Sequence, residues 1–224
     1  MNPSLVSKTS NLNLQEAAHF LESVKSHDTC VYVASGPNAH RCNEFPDTDL
    51  IGVNTTWSLM KRKPAAMLTQ CARYIDGMNP KFVPWVLCPT QVWGLGHYVE
   101  ATERDFPKEQ MRTFEIREER FLDTEKIIQK LNQNQMPFML RFGSLGTYGL
   151  IFCALAGFKK IICCGHDGGV GRHPLLNNIK QHKTKEHGLN LKRTRDLAAA
   201  LVQNNYCSEI VFAQDFIQSP FKRA

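Results

Sequence analysis

The chain has 224 residues, of which 42% are hydrophobic and 21% are charged, as in an ordinary globular protein. This length predicts a single domain, spanning residues 1–224, that buries its core without disulfides or structural metal ions. No apolar run is long enough to cross a membrane, and Met1–Asn13 lacks the apolar stretch of a secretory signal. We therefore expect a cytoplasmic protein, whose oligomeric state the sequence does not indicate.

The formal net charge of +6 is concentrated in one segment. Residues 171–195 contain seven Lys or Arg and one acid, and the rest of the chain is neutral. Four of the eight histidines lie in or beside this basic segment. Such a density of positive charge favours an anionic ligand, for example a nucleotide phosphate or a nucleic acid, although a solvated surface loop is the simpler alternative.

The eight cysteines show no C-x-x-C spacing and fit no zinc ribbon. Several of them lie inside apolar runs, as Cys30 and Cys153 do. We therefore expect reduced and mostly buried thiols rather than disulfides, and no metal site.

The first half of the chain predicts one helix followed by short strands. Apolar residues recur at helical spacing over Leu14–Lys25, where Asn13 is a suitable N-cap. The elements predicted after this helix are strands over Thr29–Ala34, Leu50–Val53 and Ala65–Leu68, a short helix over Thr55–Lys63, and an edge or irregular strand over Lys81–Leu87, which contains Pro84. Residues 89–117 show no period, and we expect there an insertion that helps to wall a site.

The second half alternates helices with strands. The predicted elements are an amphipathic helix over Glu118–Leu131, a strand over Pro137–Phe142, a helix over Leu145–Ala156 ended by Gly157, a strand over Ile161–Cys164, a helix over Leu189–Val202 and a strand over Glu209–Phe212. The helix that precedes Gly157 is almost wholly apolar and should be buried. The alternation predicts an α/β fold, namely a single-domain, doubly wound, mainly parallel and Rossmann-like sheet.

Polar residues follow three of the predicted strands, where open parallel sheets bind ligands. They are Ser35, Gly36, Pro37 and Asn38 in the first turn, Asn54 after the next strand, and His166 and Asp167 after the strand at Ile161–Cys164. Gly36 would let the backbone approach a ligand or take a positive φ. Ser144, Gly146 and Thr147 begin the buried helix, whose free N–H groups and dipole favour an anion.

Two histidines are candidates for a general base. His187 lies in the basic segment just before a predicted helix, where a neutral imidazole can take a proton from an acceptor hydroxyl. His166 is the alternative, because Asp167 beside it could orient the imidazole. Asp167 could equally brace the loop through backbone N–H groups. Walker A, dinucleotide-binding and nucleophile-elbow motifs are absent from the sequence.

The pattern resembles the small bacterial sialyltransferases and the wider Rossmann-like group that includes pterin pyrophosphokinase-like domains. The motifs that carry the resemblance are Ser35-Gly36-Pro37-Asn38, Asn54, Gly146-Thr147, Ala156-Gly157-Phe158-Lys159 and Gly165-His166-Asp167. The similarity covers residues 29–60 and 137–215, and Arg141–Asp167 is its most specific part.

The resemblance implies a metal-independent glycosyltransferase with a variant of the GT-A-like fold. A nucleotide sugar would be the co-substrate, bound by the first turn and Asn54, and no further cofactor is implied. Residues 168–188 would form a mobile basic lid, with Arg172 near the donor and His187 as the base. Ser35 replaces the asparagine usual in the sialyltransferases, and the lid has no tyrosine, so the identity of the donor stays open.

Three questions of function stay open at this stage. The acceptor hydroxyl could belong to a glycan or to a hydroxymethylated DNA base, because the basic segment would attract a polyanion. A pterin-type pyrophosphokinase is the alternative enzyme, with Mg²⁺ held by Asp167, the only obvious acid. A nucleotide- or nucleic-acid-binding module without catalysis is the non-enzymatic alternative.

Overall fold

The computed structural model describes residues 11–12, 14–94, 96–114, 123–133, 145–166, 175 and 186–218. These residues form an eight-stranded sheet, a separate two-stranded hairpin, and helices that flank the sheet. The predicted α/β class with a parallel, Rossmann-like sheet is therefore confirmed. Most of the predicted lid and the predicted strand over Pro137–Phe142 lie outside the described residues.

The strands are β1 (Asn11–Leu12), β2 (Thr29–Val33), β3 (Asp49–Val53), β4 (Ala66–Leu68), β5 (Val86–Pro89), β6 (Gln91–Trp93), β7 (Tyr98–Glu100), β8 (Met111–Phe114), β9 (Lys160–Cys164) and β10 (Glu209–Phe212). The α-helices are α1 (Leu14–Val24), α2 (Ala72–Asp76), α3 (Thr124–Asn132), α4 (Leu145–Leu155) and α5 (Glu186–Gln203). Short 3₁₀ helices follow several strands, among them Pro37–Glu44, Thr56–Leu59 and Ala213–Gln218.

The order of the strands reverses once. Across the sheet the order is β1-β8-β5-β4-β3-β2-β9-β10, and every pair in it is parallel. From β2 the chain builds outward as far as β8, and it then returns to add β9 and β10 on the other side of β2. The β2–β9 pair is therefore the topological switch point, outside which open α/β sheets bind their ligands.

Both faces of the sheet are covered, as the alternation of β2 shows. Cys30 and Tyr32 belong to one buried cluster, and Val31 and Val33 belong to the other. Helices α1, α3, α4 and α5 supply the first cluster, whereas α2, the short 3₁₀ helices and β6 supply much of the second. Because both faces are buried, the central strands have continuous apolar sequences.

Helix α4 is buried, as its composition predicts, and it ends where Gly157 predicts. Gly157 has a φ of +71°, its N–H donates to the Ala154 carbonyl (3.0 Å), and the Phe158 N–H donates to the Cys153 carbonyl (3.3 Å). This pair of bonds is a Schellman cap, which favours glycine at the left-handed position. The cap turns the chain directly into β9.

Three elements differ from their prediction. The predicted edge or irregular strand over Lys81–Leu87 is wrong, because the strand is Val86–Pro89, starts after Pro84 and pairs regularly between β4 and β8. The predicted helix over Thr55–Lys63 is a single 3₁₀ turn at Thr56–Leu59. The segment without a period, residues 89–117, contains the β6–β7 hairpin and an internal strand, β8.

The eight cysteines are free thiols, and all but Cys71 are buried. Burial raises the pKa of Cys88 to about 12 and that of Cys42 to about 11. These thiols are protonated at neutral pH and act as small apolar side chains of the core. None of the described helices is long and apolar enough to cross a membrane.

Candidate functional site

Backbone hydrogen bonds join the loops that follow β2 and β9. The Ala34 N–H donates to the Cys164 carbonyl (2.8 Å), and the Gly36 N–H donates to the Gly165 carbonyl (2.9 Å). The two loops therefore continue the β2–β9 pairing for a short distance beyond the sheet. This joined pair lies at the topological switch point, and we call the space beyond these strand ends the switch-point crevice.

Gly165 makes this close approach possible. Its φ is +73°, and a Cβ atom built there would overlap the Ala34 carbonyl oxygen. Any other residue would combine left-handed strain with a clash against backbone, which cannot move aside as a flexible side chain can. The glycine of the Gly165-His166 pair thus has a structural role at the crevice.

Gly36 has an ordinary extended backbone. Its φ is −69° and its ψ is 172°, so the predicted alternative of a positive φ is wrong. Gly36 instead precedes the 3₁₀ helix Pro37–Glu44, and its carbonyl accepts the Ala39 N–H at 3.0 Å. Pro37 opens that helix, where its fixed φ is favourable. A close approach of ligand to Gly36 stays a prediction.

Asn54, after β3, has the conformation of a turn residue and an oriented amide. Its φ is +54°, which asparagine tolerates better than most residues. Its N–H donates to the Leu68 carbonyl (2.9 Å), and its Oδ1 accepts the Thr69 hydroxyl (3.0 Å). The Thr69 hydroxyl in turn accepts the Cys71 N–H (3.3 Å). Nδ2 of Asn54 is left as a donor that no described residue uses.

Ser35 and Asn38 are half-buried at the crevice. The Ser35 hydroxyl makes no hydrogen bond to another described residue, and Asn38 lies in the first turn of the 3₁₀ helix. Strands β3, β2 and β9 are neighbours about 5 Å apart. Ser35, Asn54 and His166, which follow these strands, therefore lie at one edge of the sheet, as predicted.

His166 is buried, with an exposed fraction of 7%. Its ring contacts Tyr32 (centroids 5.1 Å apart) and Phe212 (6.1 Å), and its Nε2 has no hydrogen-bond partner among the described residues. Burial lowers the pKa of His166 to about 4, so the imidazole is neutral at pH 7. Such a weak base favours a role in hydrogen bonding over one in proton abstraction.

Gln214 is a neighbour of His166 that the sequence did not indicate. It follows β10, its Nε2 donates to the His166 carbonyl (3.0 Å), and its Oε1 is buried without a partner in the described structure. Arg195 of α5 supports the same region, because its guanidinium lies 4.4 Å from the Phe212 ring centroid and pairs with both carboxylate oxygens of Asp215 (2.7 and 3.0 Å). Only the contacts of the folded chain could reveal these partners.

The start of α4 is joined to the end of β2. The Tyr32 hydroxyl donates to the carbonyl of Leu145, the first residue of α4. Gly146 and Thr147 follow Leu145, so the backbone of the predicted anion-binding helix start lies close to the switch point. Ser144, which was predicted to cap this helix, lies outside the described residues.

The remaining predicted residues are only partly covered. His187 lies in the first turn of α5, which begins three residues earlier than predicted. Asp167 and Arg172 lie outside the described residues, as does most of 168–188. Within the described part of the chain, no three His, Cys, Asp or Glu side chains come together as potential metal ligands.

Comparison of the chain with family models, with curated proteins and with solved structures gave no match. The class that the fold defines is a Rossmann-like α/β protein with a polar crevice at its topological switch point.

Proposed function

We propose that this protein is a nucleotide-sugar-dependent glycosyltransferase that binds the donor nucleotide in the switch-point crevice. One observation carries the proposal. Three neighbouring strands are followed by the polar side chains of Ser35, Asn54 and His166, and the buried Nε2 of His166 has no hydrogen-bond partner among the described residues. A nucleobase and a ribose offer the donors and acceptors that such a set can bind, and switch points are where such ligands bind.

The donor phosphate would bind at the N-terminus of α4. The N–H groups of the first turn of a helix lack intrahelical acceptors and carry a partial positive charge, which favours an anion. The Tyr32 hydroxyl holds this helix start beside the end of β2 through Leu145. The cations of the basic segment would neutralise the leaving phosphate, so the proposal does not require a metal ion.

The proposed reaction is a displacement at the anomeric carbon of the donor sugar. The acceptor oxygen forms a bond to that carbon, the bond to the nucleotide phosphate breaks, and its electron pair leaves with the nucleotide. A base takes the proton of the acceptor hydroxyl. We assign this role to His187 because of its position in α5. The guanidinium of Arg195 packs on the Phe212 ring at the carboxyl end of β10. His187 precedes Arg195 by eight residues, about 12 Å along the helix, so the first turn of α5 extends past this edge of the sheet.

Nucleotide binding tests the proposed site. CMP, UDP, GDP and ADP would be titrated calorimetrically into the wild-type protein and into Asn54→Gly, which removes the amide but keeps the left-handed backbone. Loss of one or two hydrogen bonds should weaken the binding of the accepted nucleotide by about 1–3 kcal/mol. Asn205→Gly is the matched control, because Asn205 also has a positive φ (60°) and follows α5 at the opposite end of the strands.

The outcomes separate the candidate functions. Equal affinities of wild type and Asn54→Gly, or no binding of any of the four nucleotides, would contradict the site. Binding without hydrolysis or transfer of any nucleotide sugar would favour the module without catalysis. Binding that requires Mg²⁺ would favour the pyrophosphokinase.

Turnover of the donor tests the base. His187→Ala should lower the rate by about 10²- to 10⁴-fold, since that is the usual contribution of a general base. Nucleotide affinity should stay close to wild type. His19→Ala, at an exposed position of α1 outside the basic segment, serves as the control and should leave the rate unchanged. Loss of nucleotide binding in His187→Ala, or a normal rate, would remove His187 from the role.

A further inference from the structure

The β6–β7 hairpin lies at the same edge of the sheet as the crevice. Thr90 alone separates β6 from the carboxyl end of β5, and Ala101, after β7, donates its N–H back to the Thr90 carbonyl (2.8 Å). The Trp93 N–H donates to the carbonyl of Gln70, two residues after β4 (2.8 Å). The hairpin therefore lies beyond the carboxyl ends of β4 and β5.

One face of the hairpin carries an aromatic pair and a polar pair. In β6, Val92 is buried, whereas Gln91 and Trp93 are exposed, and 41% of Trp93 is accessible. Trp93 pairs with Tyr98 across the hairpin, with ring centroids 5.1 Å apart and planes at 73°. Gln91 pairs with Glu100, whose Oε1 accepts from Nε2 of Gln91 at 3.0 Å. These four residues are the hairpin face.

The hairpin face is fixed in place. Val92 is fully buried in the second core cluster, which anchors β6 to the body of the protein. The turn is closed by the Gly94 N–H, which donates to the His97 carbonyl at 2.7 Å. A ligand would thus meet a surface that is ordered before binding, which lowers the entropic cost of association.

We propose that the hairpin face is the acceptor site and that it binds an uncharged glycan, an inference that rests on the proposed glycosyltransferase function. A sugar ring has an apolar C–H face, which packs on an indole, and hydroxyl groups at its rim, which both donate and accept hydrogen bonds. Trp93 supplies the flat apolar surface. The Gln91 amide and the Glu100 carboxylate supply planar polar groups beside it.

The charge of the hairpin face decides between the two acceptors that the sequence left open. Glu100 is acidic, and none of the four residues of the face is basic. A carboxylate beside the binding surface repels the phosphates of a nucleic acid, whereas it accepts hydrogen bonds from sugar hydroxyls. The glycan is therefore favoured over a hydroxymethylated DNA base.

The donor and acceptor sites are connected along one edge. Asn54, at the donor site, accepts the Thr69 hydroxyl, and Thr69 is followed by Gln70, whose carbonyl binds Trp93. Strand β4 lies two strands from β2, a separation of about 10 Å. The donor sugar and the acceptor ring would therefore lie beyond the same edge of the sheet, with only β3 between the strand ends that carry them.

Titration of the full-length protein with defined probes tests the proposal. The probes are lactose, N-acetyllactosamine, maltotriose, cellotriose and chitotriose, with a twelve-residue oligothymidylate as the anionic competitor. We expect at least one glycan to bind to the wild-type protein. Trp93→Ala should weaken the affinity for that glycan about tenfold or more, and the oligothymidylate should not displace the glycan. Phe216→Ala removes a similarly exposed aromatic ring (47%) after β10 and should bind the glycan as wild type does.

Several outcomes would overturn the glycan site. The first is that none of the five glycans binds, and the second is that a folded Trp93→Ala protein binds the glycan as wild type does. The third is that the oligothymidylate displaces the glycan. The fourth is a dimer in sedimentation that Trp93→Ala dissociates, because Trp93 would then be buried between two copies of the chain. If Trp93→Ala does not fold, Gln91→Ala, which truncates an exposed side chain, takes its place with the same expectation. Nucleotide affinity of the wild-type protein is measured in parallel. If the protein binds a glycan but no nucleotide, the proposed function fails and the glycan site does not.

Discussion

At the residue scale, the crevice depends on a glycine whose Cβ has no room. Gly165→Ala would place a methyl group against the Ala34 carbonyl and force an alanine to a φ of +73°. We expect the free energy of unfolding to fall by roughly 2–5 kcal/mol, from backbone strain and overpacking together. Urea denaturation measures this loss.

Gly96 provides the control for this substitution. Its φ is +90°, but nothing lies within 4 Å of the Cβ position. Gly96→Ala should therefore show the cost of backbone strain alone, about 1–2 kcal/mol. If Gly165→Ala and Gly96→Ala lower the free energy of unfolding equally, the close approach of the loops after β2 and β9 does not require a glycine at position 165.

The buried imidazole of His166 predicts a pH dependence of stability. Its folded-state pKa of about 4 lies below the value of 6.5 for an unperturbed histidine, so between these pH values the unfolded chain binds the extra proton. Stability is thus complete above pH 6.5 and falls as the pH drops toward 4, by about 3 kcal/mol from this group.

His166→Leu isolates this contribution, because other groups also titrate in acid. Urea denaturation at pH 7.5 and pH 4.5 should show a smaller loss of stability in His166→Leu than in wild type, by about 2–3 kcal/mol. His19→Gln, at an exposed position of α1, should retain the wild-type loss. The same loss in wild type and His166→Leu would mean that His166 is not held neutral by burial.

At the scale of elements, the contact between α4 and β2 sets the position of the helix start that we assign to phosphate binding. Gly149 of α4 packs against the ring of Tyr32, and a Cβ atom there would overlap the phenol. Gly149→Ala should therefore destabilise the fold by roughly 1–3 kcal/mol and weaken nucleotide binding by shifting the helix. Thermal unfolding and calorimetric titration measure the two effects.

Two comparisons make this prediction specific. Gly77→Ala, where the nearest atom is the Arg73 carbonyl oxygen at 3.4 Å, should change stability by no more than about 0.5 kcal/mol. The cost of Gly149→Ala should also shrink in a Tyr32→Leu background, because the colliding ring is then absent. An unchanged cost in that background would place the strain elsewhere.

The elements that the sequence predicted well are those with a strong local signal. α4 combines an apolar run with a glycine cap, and β9 is a short buried run just after it, so both are found within a residue or two. α2 has five residues, too few to show a helical period. β5 was misplaced because the apolar residues around Pro84 resemble a strand, although the ladder begins only at Val86.

At the scale of the whole molecule, the alternation of helices with strands in the sequence predicts a parallel sheet, but it does not predict the order of the strands in that sheet. Periodicity is a local property, and the return of the chain from β8 to β9 is a long-range packing choice that leaves no periodic signal. The sequence therefore placed Ser35, Asn54 and His166 at strand ends without showing which ends are neighbours. It also missed Gln214, whose contact with His166 spans 48 residues.

The proposed function requires a nucleotide to bind outside the carboxyl ends of β3, β2 and β9. Hydrogen–deuterium exchange of the full-length protein, with and without the nucleotide of highest affinity among CMP, UDP, GDP and ADP, tests it most directly, because bound backbone exchanges more slowly. We predict slower exchange at residues 34–40, 54–56 and 165–166. Protection confined to the groove between α3 and α5, at residues 124–133 and 200–204, or no change at the strand ends, would mean that the nucleotide does not bind at the switch point.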